Sequence, residues 1–460
     1  MTDNKKYAAL VMAAGEGTRM KSSIPKVLHK IAGKTMLEWA AQAVSGGDFG
    51  MPVIIVSPKN RAAIEEAAGS GFVFAVQERQ LGTGDAVKSA AEAVRGSKYT
   101  VIIAGDMPLV RRETMQALCD NCSLLGYDMM LLTGIAENPT GYGRIVRQGG
   151  GVTGIVEEND ATDEQKKIKE INLSCYCIRT DALLKHIGDL KNDNKKGEYY
   201  LTDLVQVFAD AGLRVAAKSV EDMSELSGVN TKTQLAEAAE IIRARINRAH
   251  TEAGVMMIDP KAVYIEADVK ICEDTVIYPG VVIEGASEIG AGVTLYPGSR
   301  IKDSKIADGA TVQNSVILES AVGENSQIGP YAYLRPGSNI GSECRIGDFV
   351  EVKNSNLGDG TKVSHLTYVG DGDVGADCNI GCGVVFVNYD GQNKNRITVG
   401  DGCFIGCNTN LISPVEVGHG AYIAAGATVT QDVPDNALCI ARAREVIKAG
   451  RAKGMYKRSK

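Results

Sequence analysis

Tryptophan and phenylalanine are scarce in this 460-residue chain: one Trp and 7 Phe. A core of that length built so largely without large rings must rely on aliphatic side chains. No stretch approaches the roughly 20 apolar residues of a membrane-spanning helix, which excludes membrane insertion through one. The chain lacks a positive field, with 50 Lys and Arg against 56 Asp and Glu. A global attraction to nucleic acid or membrane is therefore excluded, and anionic ligands must be met by local cations. Histidine is rare, at 5. The 11 cysteines are scattered, odd in number and without framework spacing, which predicts reduced thiols and a cytoplasmic protein. Cys119 and Cys122 form a C-x-x-C pair inside a helix-like run, without a zinc-type partner motif. The start, Lys5-Lys6 and then YAALVMAAG, superficially resembles a signal peptide, but its apolar run ends at Glu16 and Arg19.

What the chain has in abundance is glycine, 52 residues, and a period of six. An aliphatic residue recurs from Ile271 through Ile277, Ile283, Ile289, Leu295 and Ile301. After a slip the count resumes from Val322 to Val352, and a last run goes from Val399 to Val429. A helix with about 3.6 residues per turn cannot hold that period on one face. A solenoid can, with one short flat strand and one corner per hexad. The register breaks at residues 388–398, where NYDGQNKNRIT is expected to loop out.

Residues 7 to about 230 alternate aliphatic runs with amphipathic segments. YAALVMAAG, MPVIIVS, GFVFAVQ, KYTVIIAGD and DMMLLTGIA read as strands; TMLEWAAQAV, NRAAIEEAAG and GDAVKSAAEAVRG read as helices. That order predicts an α/β, Rossmann-like, largely parallel sheet covered by helices, with ligands beyond its carboxyl ends. Residues 231–250 read as an amphipathic helical connector. The expected domains are 1–232, a helical linker over 233–253, and an all-β hexapeptide-repeat solenoid, a left-handed parallel β-helix, over 254–460. The tail from Arg442 carries eight Lys or Arg and is either a frayed end or a segment seated on a neighbour.

Two constellations carry chemistry. Met12-Ala13-Ala14-Gly15-Glu16-Gly17-Thr18-Arg19 follows the first strand. Its glycines let backbone N–H groups approach phosphate, and Arg19 adds a forked donor. It is neither a Walker loop nor a dinucleotide fingerprint. Pro25-Lys26 lies just beyond, and Gln80-Leu81-Gly82-Thr83-Gly84 opens a helix suited to reading a base edge. Ala104-Gly105-Asp106 ends a strand of aliphatics; the acid there is either a helix cap or a ligand for Mg²⁺ with phosphate. On the solenoid, Ser364-His365-Leu366 places a histidine on a coil corner, suited to deprotonating an attacking amine. Arg335 and Lys353 read as outward cations one coil apart, suited to a sugar phosphate or simply solvated. Solenoids of this kind serve acyl transfer from coenzyme A or act as inert oligomerisation stems.

The first constellation resembles the sugar-nucleotide pyrophosphorylases over roughly residues 5–230. Gly141-Tyr142-Gly143-Arg144-Ile145, Ile155-Val156-Glu157, Glu170-Ile171-Asn172, Gly197-Glu198-Tyr199-Tyr200-Leu201-Thr202-Asp203 and Gly228-Val229-Asn230 look like the N-acetylglucosamine-1-phosphate uridyltransferase branch. That resemblance implies Gly143, Glu157 and Asn172 around the sugar and Gln77, Gly82 and Thr83 around uracil. It implies Mg²⁺ on Asp106 and Asn230, with Arg19 and Lys26 neutralising charge. Ala104 departs from the family, where a larger residue is expected. The second constellation looks like the acetyltransferase half of bifunctional enzymes that also carry that uridyltransferase, in the same domain order. It implies His365 as base, with Arg335, Lys353, Tyr368 and Asn379 around the amino sugar phosphate. It implies Asn388 and Tyr389 between sugar and acetyl-CoA, and Ala425 and Arg442 on the CoA side. Cys382 and Cys407 stand where Ala and Ser are common. The implied substrates are UTP, glucosamine-1-phosphate, N-acetylglucosamine-1-phosphate and acetyl-CoA, in a homotrimer that feeds cell-envelope synthesis. Two readings compete: a monofunctional pyrophosphorylase with a regulatory solenoid, and a nucleotide-sugar-regulated scaffold.

Overall fold

The chain, described here as a computed structural model over residues 5–453 and residue 455, divides into two compact units, Met1–Ile242 and Arg243–Lys460. The last three cations of the tail, Lys457, Arg458 and Lys460, lie outside the described residues.

The first unit is built on nine strands: β1 (Tyr7–Met12), β2 (Val53–Val56), β3 (Val73–Val76), β4 (Tyr99–Ala104), β5 (Met129–Ile135), β6 (Arg144–Gln148), β7 (Gly151–Val156), β8 (Glu170–Arg179) and β9 (Val215–Ser219). The spatial order is β9-β5-β8-β4-β1-β2-β3. All five predicted strands form, and β1, β2 and β4 run parallel as expected. Their Val, Ile and Leu side chains are buried on both faces. The ten-residue β8 had no counterpart among the expected strands. It is antiparallel to both β4 and β5, with a register shift between Asn172 and Tyr176. The β6–β7 hairpin joins the sheet through β8. GDAVKSAAEAVRG is only half α-helix, which stops at Ser89 and tightens to a 3₁₀ turn over Ala91–Val94.

The helix Lys232–Glu252 is more than a connector in its second half. Asn247 is buried, and its amide donates to the Pro260 and Val263 carbonyls at 2.7 and 3.0 Å. Ile246 packs on the solenoid's first inward aliphatics. This turn therefore lids the open end of the coil, which would otherwise expose its core.

The second unit is a left-handed parallel β-helix of three sheets, with 11, 10 and 9 parallel strands. The period-six aliphatics all point inward: Ile277, Ile283, Leu295, Ile301, Leu334, Ile346, Val352, Val363, Val369, Ile405, Leu411 and Ile423 are fully buried. Buried Ser, Thr and Cys sit near the corners and bond backbone of the next coil; Ser326 Oγ accepts from Cys344 N at 2.8 Å and donates to Gly341 O at 2.8 Å. One expectation needs correction. The break is shorter than 388–398, because Ile397 is a fully buried strand residue and Asn388 is buried too. An isoleucine restores the inward register as soon as the polar run ends.

Among the described residues Phe386 is the one large ring filling the coil interior, fully buried against Gly372. Phe386→Ala should cost about 3–5 kcal/mol, the usual price of such a cavity. Chemical denaturation followed through the solenoid transition measures it; a loss under about 1 kcal/mol would show that the coil collapses onto the gap.

Candidate functional sites

In the first unit the carboxyl ends of β1 and β4 open onto a cavity of about 500 Å³. Met12, Ala13, Ala14, Gly15, Lys26, Gln77, Gly82, Thr83, Ala104 and Asp106 line it. The glycines do different work. Gly15 has open space around its Cα, whereas Gly17 has φ 62° and a Cβ there would meet the Lys26 Cβ at 2.5 Å. Gly82 has φ 115° and lies against the backbone of Tyr199, where a Cβ would come within 2.5 Å of the carbonyl oxygen. Tyr199 N donates to Leu81 O, and Gly84 N to Tyr199 O, so 81–84 and 199–201 are knitted together. Thr83 Oγ1 accepts from Leu201 N, and Gln77 Nε2 donates to Gly82 O at 3.0 Å.

Polar groups converge at one end of this cavity. Lys26 Nζ is paired with Asp106 Oδ2 and lies 3.0 Å from Asn230 Oδ1. Arg19 Nη2 donates to the same Asn230 oxygen at 2.8 Å. Val229 N donates to Asp106 O, which pins Asn230 beside the acid. Two oxygens 124 residues apart in sequence thus share a positive charge. A hard cation that keeps water and phosphate oxygens as its other ligands fits that donor set. Among the described residues there is no cluster of three or more His, Cys, Asp or Glu that could hold a metal alone.

Gly143, Glu157 and Asn172 are brought together as well. Asn172 N donates to Gly143 O at 2.8 Å, and a Cβ on Gly143 would lie 3.4 Å from Glu157 Oε1. Arg144, fully buried, holds this turn by donating to Tyr142 O and to Glu158. Glu157 accepts from Thr202 Oγ1 at 3.0 Å, and burial pushes its carboxyl up. Glu157 also borders a second cavity of about 400 Å³ with Asp160, Asp193 and Asp203. Cys119 and Cys122 are buried in the helix–sheet core.

On the solenoid one corner column, between the first and second sheets, carries the exceptional residues. Tyr278 stacks on Tyr296 at 5.0 Å, and Tyr331 on Phe349 at 5.5 Å. Tyr331, Phe349 and Leu366 are exposed. His365 ends a strand at this corner, and Cys382, Cys407 and Ala425 continue the column on later coils. Arg442 Nη1 donates to Ala425 O at 2.8 Å, which joins those two expected residues.

The second-sheet flank holds the cations. Arg335 Nη1 donates to Glu351 at 2.7 Å. Lys353, expected as an outward cation, is paired: it leans to Asp371 at 3.7 Å and is largely covered. Asp371 is the hub that sequence reading missed. It is buried, and it accepts from Asn354 at 2.6 Å and from Asn388. Its carboxyl is held below the usual range against the cost of burial, by those amides and by Lys353 and Lys394. Asn388 Nδ2 also lies 3.5 Å from the Tyr368 hydroxyl. At the loop's far end Arg396 grips Asp373 and the Asn354 carbonyl. The loop bearing exposed Tyr389 is therefore pinned at both ends. Asn379 stands apart, exposed on the first sheet in register with Lys362 and Phe404.

Known families match both halves. MobA-like NTP transferase domains match residues 9–148, and the bacterial transferase hexapeptide repeat matches residues 268–303, 319–354 and 396–431. The bifunctional protein GlmU of Clostridium novyi is 49% identical over 441 residues, covering 95% of this chain and 96% of that protein. That of Clostridium kluyveri is 47% identical, covering 96% and 97%. That of Clostridium acetobutylicum is also 47% identical at the same coverage. The chain belongs to the GlmU family. The relatives carry the name bifunctional protein and match this chain across both halves, which supports the bifunctional reading over a monofunctional pyrophosphorylase with a regulatory solenoid.

Asp203 ends the Gly-Glu-Tyr-Tyr-Leu-Thr-Asp run of residues 197–203 and is pushed up to about 6, first by burial and then by Glu157, Asp193 and Asp160. Its unfolded value is about 3.9, so the folded state holds the extra proton between about pH 4 and 6. Stability from this group is lost as pH rises through that window. Asp203→Asn should therefore raise Tm over wild type above about pH 6, and the gain should vanish near pH 4. A thermal-melt series checks this; a difference independent of pH would contradict it.

Proposed function

We propose the following division of labour between the two sites. The chain acetylates glucosamine-1-phosphate with acetyl-CoA and then transfers UMP from UTP to N-acetylglucosamine-1-phosphate, giving UDP-N-acetylglucosamine and pyrophosphate. What carries this bifunctional reading is that each half holds a furnished site and the relatives cover both.

In the first site the uracil lies against Gln77, Gly82 and Thr83, and the sugar against Gly143, Glu157 and Asn172. The sugar phosphate oxygen attacks the α-phosphorus of UTP, the new O–P bond forms as the bond to pyrophosphate breaks, and no general base is required. Lys26 and Arg19 hold positive charge where negative charge accumulates. Mg²⁺, held by Asp106 and Asn230 when bound, supplies further neutralisation of the phosphates. The convergence of Lys26 and Arg19 on those two residues supports this assignment.

In the second site Arg335 and Lys353 bind the sugar phosphate, with Tyr368 and Asn379 beside it. Tyr389 and Asn388 lie between the sugar and acetyl-CoA, and Cys382, Cys407, Ala425 and Arg442 face CoA. The amine attacks the thioester carbonyl; the C–N bond forms, the C–S bond breaks, and the amine proton passes to His365 and then to the departing thiolate. Transfer is direct. Cys407 is exposed near this position, so a thioester relay through it is the rival.

Asn379 and the Arg335–Lys353 flank lie on different faces of one chain. A homotrimer that sets the aromatic corner of one copy against a face of the next would unite them and cover Tyr331, Phe349 and Leu366. Sedimentation should give a trimer; a monomer at micromolar concentration would contradict this. The eleven free thiols support a cytoplasmic setting, and no helix of the described residues is long and apolar enough to cross a membrane.

Asp106→Ala should abolish uridyl transfer and spare acetyl transfer. His365→Ala should do the reverse, with a loss of about 10²-fold or more. Separate assays of the two steps check this. Equal loss of both activities in either folded variant would overturn the division.

A further inference from the structure

His365 has a partner that its sequence neighbourhood does not reveal. Asp348 lies on the preceding coil, in direct register with it. Its Oδ1 is 2.7 Å from the imidazole Nδ1. The Asp348 main chain is tied to the same corner independently, since Leu366 N donates to Asp348 O at 2.9 Å. The His365 carbonyl accepts from Thr367 Oγ1 at 2.7 Å. Backbone on both sides is thus fixed, and the side-chain bond sets only the ring.

We propose that Asp348 is a positioning residue for acetyl transfer, fixing the His365 ring and its tautomer so that Nε2 alone is basic. This rests on the reading of His365 as the base. An ionised carboxylate only accepts hydrogen bonds, so the neutral ring must carry its proton on Nδ1 to satisfy it. The lone pair is then on Nε2, the nitrogen directed away from Asp348. When Nε2 takes the amine proton, the contact becomes an ion pair, and the charge that develops on the ring meets a carboxylate already in place.

A structural role for the contact is weak by comparison. Both side chains are substantially exposed, 59% for His365 and 38% for Asp348. Ion pairs that open to water contribute little to folding. Closing the site with bound substrates is what would remove that water and strengthen the contact. The other cations and acids of the site do not substitute: Arg335 is committed to Glu351, and Lys353 to Asp371.

The test uses the full-length enzyme with glucosamine-1-phosphate and acetyl-CoA, and compares Asp348→Asn, Asp348→Ala and Asp348→Glu with wild type and His365→Ala. Uridyl transfer and Tm report folding. Asp348→Ala should lower kcat of acetyl transfer about 10-fold or more, with KM for the amino sugar within about twofold. Asp348→Asn should fall between Ala and wild type, and Asp348→Glu should recover part of the loss. In ¹⁵N spectra of histidine-labelled protein, with the His365 signals identified by their absence in His365→Ala, wild type should show protonated Nδ1. Asp348→Ala should show a mixture of tautomers. Wild-type kcat in Asp348→Ala, alongside a crippled His365→Ala, would overturn the inference and leave His365 as base. So would an unchanged tautomer or a loss confined to KM. Full activity in His365→Ala would instead remove the base itself, and this inference with it.

Discussion

Everything in the second half depends on stacking in register. Parallel strands sit about 4.8 Å apart, so a residue 17 or 18 positions further on becomes a next-coil neighbour. The buried aliphatic at every sixth position enforces that register, because a slip by one would turn the whole set outward. Asp348 meets His365, Asn354 meets Asp371, and Asn356 meets Asp373 for this reason alone. Chemistry is thereby written on the corners and outer faces of a scaffold whose interior is nearly uniform. The break at the polar loop interrupts that scaffold and adds residues to the proposed second site. It supplies Asn388 and Tyr389, and Asp371 and Asp373 anchor its two ends.

The first half solves a different problem with a different device. Its parallel strands end together, so Ala13 and Ala104–Asp106 reach the same rim. Glycine at 17 and 82 lets chain segments from elsewhere close on that rim without a side chain in the way. Asp106 and Asn230, far apart in sequence, become one acidic and amide oxygen pair facing Lys26 and Arg19. Charge neutralisation is the main demand of phosphoryl transfer with a nucleophile that is already ionised; on the proposed reading Lys26, Arg19 and a cation held by Asp106 and Asn230 would meet it without a general base.

Much of this was legible in the sequence because it is local or periodic. The hexads, the five aliphatic strands, the glycine loop and Asp106 at a strand end all follow from spacing. The features that were not legible depend on register between distant segments. Asp348 and Asp371 look like ordinary surface acids until the coil count places them beside His365 and Lys353. Strand β8, EINLSCYCIR, mixes polar residues into an apolar run because it bears Asn172 at its bulge, which masked it as a strand. Ile397 was lost in the polar run that precedes it. The Lys232–Glu252 helix shows its amphipathic spacing plainly, but only the fold shows that Asn247 caps the coil.

The central claim is that the two sites this chain furnishes carry two reactions in sequence. Mixing the two single-site variants tests it most directly. Asp106→Ala and His365→Ala enzymes, each given UTP, glucosamine-1-phosphate and acetyl-CoA, should make almost no UDP-N-acetylglucosamine alone. Combined in one vessel, they should make it at a substantial fraction of the wild-type rate, because one supplies the acetylated sugar phosphate that the other consumes. Failure of the mixture, with both proteins folded, would contradict the account.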